Sequence, residues 1–96
     1  MSSLVQHSLL IDAGNTRIKW AVFQSGALGM PMRWLAQGSV DHAQVAELAS
    51  QWRDLPADEV LVSNVAGEAL QQALQQAVDA SFPGISVSRF RADTKI

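Results

Sequence analysis

The chain has 96 residues, 48% apolar and 17% charged, with a formal net charge of −2 and no cysteine. These values fit one globular domain with a modest core and exclude a disordered chain, a disulfide scaffold, a thiolate zinc site and a cysteine nucleophile. No net basic field draws nucleic acid or an anionic membrane, no apolar run reaches the roughly 18 residues of a span, and residues 1–7 lack the pattern of a signal peptide, so a cytoplasmic protein is expected.

Residues 1–7 read as a lead-in. Ser8 to Ile11 are the first strand, nearly all apolar and therefore expected at the centre of a sheet. Arg17 to Phe23 alternate, with Ile18, Trp20 and Val22 on one side and Arg17, Lys19 and Ala21 on the other, the period of a half-buried strand. The turn-rich 24–29 segment leads to a third strand near 32–38, and Pro31 at its start argues for a sheet edge. Asp41 with Gln44 three residues on predicts a capped helix, whose apolar stripe is Val45, Leu48, Ala49 and Trp52 and which Pro56 ends.

Val60 to Val65 predict a fourth strand, buried on both faces. A second helix is expected over Glu68–Ser81. Leu70, Ala73, Leu74, Ala77 and Val78 form its buried stripe, the glutamines 71, 72, 75 and 76 its wet face, and Pro83-Gly84 stop it. Ile85 to Phe90 read as a fifth strand and Arg91 to Ile96 as a tail, with Arg89, Arg91 and Lys95 a small solvated cluster. The order is β-β-β-α-β-α-β, an α/β meander followed by two helical crossovers.

The chemistry concentrates between the first two strands. Asp12 ends one, and Gly14-Asn15-Thr16 turn the chain into the next. Glycine and asparagine accept positive φ there, and threonine offers a hydroxyl. Successive N–H groups of such a turn form a concave donor site suited to phosphate oxygens. A carboxylate at the strand end can hold hydrated Mg²⁺, and Lys19, back on the same edge, can add a point charge. The competing reading is an ordinary hairpin. Ser63, Asn64 and Gly67, where the fourth strand meets its helix, serve either as a helix start and cap or as an anion site. His7 and His42 have no ligand-spaced partner, so neither is a candidate metal ligand. The three tryptophans, 20, 34 and 52, suit core or interface anchors. No P-loop signature is present.

The string Asp12-x-Gly14-Asn15-Thr16-x-x-Lys19 resembles the first phosphate motif of the actin-like ATPase superfamily. The longer Ile11–Trp20 string is similar to the amino terminus of type III pantothenate kinases, the family that includes the Bvg accessory factors. Val62-Ser63-Asn64-Val65-Ala66-Gly67 is similar to that family's second recurring segment. The resemblance implies a ribonuclease-H-like half with a mixed five-stranded sheet in the order 3-2-1-4-5. It implies that residues 1–96 are one amino-terminal domain, ending before the catalytic segment. The parent activity implied is ATP-dependent phosphorylation of pantothenate to 4'-phosphopantothenate, in coenzyme A biosynthesis. Asp12, Gly14, Asn15, Thr16, Arg17 and Lys19 would bind ATP, with Asp12 organising Mg²⁺. A monovalent cation (potassium or ammonium) and a homodimer belong to the same expectation.

The family's Leu-Gly-x-Asp-Arg motif, which carries its catalytic base, has no match here, since Ala92-Asp93-Thr94-Lys95 departs from it. The chain therefore offers no catalytic residue of its own and is expected to be inactive alone. Three other readings stand beside this one. A non-catalytic regulatory or interaction module of the accessory-factor type shares the resemblance. Another actin-like sugar or acid kinase would share the Asp12 loop but not the Val62–Gly67 segment. A ribonuclease-H-type nuclease would want an acid where Ser63-Asn64 stand.

Overall fold

The computed structural model describes residues 6–25, 33–85 and 87–90. In chain order these form β1 (Gln6–Ala13), β2 (Arg17–Ser25), β3 (Arg33–Asp41), a 3₁₀ helix (His42–Glu47) running into α1 (Leu48–Gln51), β4 (Glu59–Asn64), α2 (Glu68–Ser81) and β5 (Val87–Phe90). The strands make one mixed sheet in the order β3-β2-β1-β4-β5. β1 is antiparallel to β2 and β2 to β3, whereas β4 runs parallel to both β1 and β5. The expected element order and strand order both hold. Pro31 and the 91–96 tail lie outside the described residues.

Alternation decides which face of the sheet is covered. Leu9, Ile11 and Ala13 of β1, Ile18, Trp20 and Val22 of β2, and Val60 and Val62 of β4 are buried on one face. Leu48, Trp52, Leu74, Ala77, Val78 and Phe82 from the helical segments complete the same core. Trp52 joins its parts: Trp20 meets it edge-on at 6.1 Å between ring centroids, and Phe82 stacks on it at 6.2 Å. Burying each large side chain stabilises the fold by roughly 1.5–3 kcal/mol.

β1 takes the central place expected of it, but β4 is not buried on both faces as its composition led us to expect. Both described helices lie on one face, so Leu10 and Leu61, pointing the other way, are only half-buried. Trp34, on that second face, packs on Phe23 at 5.5 Å and stays 62% exposed.

The first helix also differs from expectation. The Asp41–Gln44 box forms, with the Asp41 N–H donating to Gln44 Oε1 at 3.3 Å. The turn that follows is 3₁₀, and Gln44 leaves helical geometry at φ −106°, so the α-helical part is a single turn. Leu48 and Trp52 are fully buried, while Val45 and Ala49 of the expected stripe are half-buried. In α2, Gln71 is buried rather than wet, because its side-chain oxygen accepts from Asn64 Nδ2 at 3.2 Å. β3 extends to Asp41, β4 stops at Asn64 with Val65 exposed, and β5 begins at Val87.

Candidate functional site

The parallel pairing of β1 with β4 brings the two motif segments together. Asp12 lies beside Ser63 and Ala13 beside Asn64, at the carboxyl ends of both strands. The Val65 N–H donates to the Ala13 carbonyl at 3.1 Å, tying the β4 exit to the hairpin. Here the sheet passes from antiparallel to parallel neighbours, the kind of switch point where α/β sheets place ligands.

The hairpin turn is tight but needs no left-handed residue. Positive φ among the described residues occurs only at Gly67 and Gly84, so Gly14 and Asn15 do not use the freedom their types allow. A Cβ on Gly14 would meet the Arg17 carbonyl oxygen at 3.6 Å, an ordinary contact. The turn is closed instead by the Gly14 N–H donating to the Arg17 carbonyl at 2.9 Å. The Gly14 carbonyl accepts from His42 Nε2 at 2.7 Å. Both polar groups of Gly14 are thus used within the protein. The N–H groups of Asn15 and Thr16 have no partner among the described residues, and both residues are exposed.

Asp12 is exposed and points to the sheet face away from the helices, as does its cross-strand neighbour Lys19. The ion pairs among the described residues, His7–Asp58 and Arg17–Asp41, leave both untied. They line an open groove of about 740 Å³ with Ser63, Leu10, Leu61 and Trp34. An exposed carboxylate, a lysine and unpaired amide donors therefore share one sheet end.

Arg17 sits differently. Its Nε donates to Ser39 Oγ at 2.9 Å and its Nη1 to Asp41 Oδ1 at 2.8 Å, so β3 holds its guanidinium. Asn64 organises the start of α2. Its Oδ1 accepts from the Ala66 N–H at 2.7 Å, and its Nδ2 donates to the Gly67 carbonyl at 2.9 Å and to Gln71. Gly67 at φ 111° meets nothing within 4 Å at its missing Cβ, so backbone conformation alone asks for glycine there. His42 escaped the sequence reading, because a histidine 28 residues from the turn it touches gives no local signal.

An Asp-bearing hairpin on a 3-2-1-4-5 sheet defines a ribonuclease-H-like half of the actin-like ATPase kind. Solved structures agree on the fold. The chain is similar to the Aquifex aeolicus PPX-GPPA enzyme (TM-score 0.51, 8% identity, 93% of this chain and 37% of that one). It is also similar to the fowlpox virus Holliday junction resolvase (TM-score 0.61, 13% identity, 90% and 61%).

Sequence narrows the class. The type III pantothenate kinase family profile matches residues 8–95, and the chain belongs to that family. A type III pantothenate kinase of Janthinobacterium sp. (strain Marseille) is 49% identical over 71 residues, 73% of this chain and 27% of the relative. One from Chromobacterium violaceum is 37% identical over 87 residues, 91% and 34% respectively. The chain therefore spans about a third or less of the length of the relatives it matches.

Proposed function

We propose that this chain forms the ATP-phosphate side of a type III pantothenate kinase. The carrying observation is the exposed Asp12 carboxylate beside a turn whose Asn15 and Thr16 N–H groups have no partner among the described residues. Amide donors and the Thr16 hydroxyl suit phosphate oxygens, and Lys19 across the strand from Asp12 adds a positive charge. Gly14 fits the same purpose, because the fold itself has room for a Cβ there while an approaching phosphate gains from its absence. Arg17 serves the site by fixing the turn's far end to β3.

The donor set fits Mg²⁺. Asp12 is a hard oxygen ligand, open to solvent and in no ion pair among the described residues, as a cation with a hydrated shell requires. A bound Mg²⁺ would supply charge neutralisation at the phosphates. The residues here orient the phosphates. The groups that bind pantothenate and deprotonate its hydroxyl belong, in this reading, to the part of the relatives' length that this chain does not span. Use of a monovalent cation, assembly as a homodimer and a cytoplasmic location complete the proposal.

Titrating the chain with Mg·ATP while following its backbone amide signals tests the reading. Shifts should centre on Asn15, Thr16 and Ser63, and Asp12→Ala should abolish their Mg²⁺-dependent part. Shifts spread elsewhere, or unchanged by Asp12→Ala, would refute it. The 96-residue chain alone should form no phosphopantothenate.

A further inference from the structure

We infer that His42 is a positioning residue for the phosphate turn. This inference rests on reading residues 14–16 as an anion site. Residues Ser39 to His42, at the end of β3 and the start of the 3₁₀ helix, grip that turn at both ends. Ser39 and Asp41 hold the Arg17 guanidinium at 2.9 and 2.8 Å. His42 reaches 28 residues back to the Gly14 carbonyl at 2.7 Å.

The direction of this bond is fixed by chemistry. A carbonyl only accepts, so Nε2 carries the proton, and the ring donates whether neutral or protonated. The consequence lies in what the bond leaves over. With the Gly14 carbonyl held by His42 and its N–H by the Arg17 carbonyl, the next two N–H groups are the donors of the turn with no partner among the described residues. An exposed loop with unpaired donors is ordinarily mobile, and ordering it on ligand binding weakens affinity. A half-buried imidazole anchored in the 3₁₀ helix removes part of that cost before the anion arrives.

The test compares His42→Phe, which keeps a ring without the donor, with His42→Gln, which keeps a donor without the ring. Two readouts are taken on the 96-residue chain: hydrogen exchange of the Gly14 amide without ligand, and Mg·ATP affinity from amide shifts. In His42→Phe the Gly14 amide should exchange about fivefold faster and the affinity fall about fivefold, the weight of one hydrogen bond. His42→Gln should recover most of both. Wild-type exchange in His42→Phe, or equal losses in the two variants, would overturn the clamp. Failure of the unmodified chain to bind Mg·ATP would overturn the phosphate reading instead, and the ligand-free exchange would still judge the clamp.

Discussion

Replacing Gly38 by alanine should destabilise the protein through a single contact. Gly38 lies opposite Trp20 in the β2–β3 pairing. A Cβ there would stand 2.7 Å from Trp20 Cζ2 and 2.8 Å from both Cε2 and Nε1, closer than real Cβ atoms approach. The indole has little room to yield. It is 7% exposed, its Nε1 donates to Gln51 at 3.2 Å, and its ring plane stands nearly at right angles to that of Trp52. Overpacking of this kind costs about 1–3 kcal/mol, and losing the Gln51 bond adds about 1 kcal/mol, so Gly38→Ala should cost about 2–4 kcal/mol. Urea unfolding followed by tryptophan fluorescence measures this. In a Trp20→Leu background the same change should cost under ~1 kcal/mol, since the clashing ring is gone. A Gly38→Ala cost below ~0.5 kcal/mol, or an equal cost in both backgrounds, would refute the steric account.

Leu74 is fully buried where α2 meets the sheet, so Leu74→Ala should cost about 2–5 kcal/mol in the same unfolding experiment. The Arg17–Asp41 pair is half-exposed on both sides, so Arg17→Ala should cost below ~1 kcal/mol, with the loss shrinking further in high salt. Asn64→Ala should cost about 1–3 kcal/mol, because it leaves the buried Gln71 oxygen without its donor, and circular dichroism should report earlier melting of helix. Asp12 is exposed, so Asp12→Ala should leave the unfolding midpoint within error while removing Mg²⁺-dependent nucleotide binding.

The sequence determined the elements and their order. A period of two in residues 17–23 and the apolar stripe over 70–78 are local signals, because alternation and helical spacing must match the face each element buries. Asp12 at a strand end beside a short turn was legible for the same reason: chemistry at a turn is written in adjacent residues. Only the tertiary structure decided what no neighbour in the chain encodes. The strand pairing set Asp12 beside Ser63, turned Gln71 inward to meet Asn64, and left Leu10 and Leu61 on the face away from the described helices. It also brought His42 to the Gly14 carbonyl, a bond between residues 28 apart. Contacts of that kind depend on sheet register and on which face the helices cover. These are properties of the assembled chain, and no short window of residues contains them.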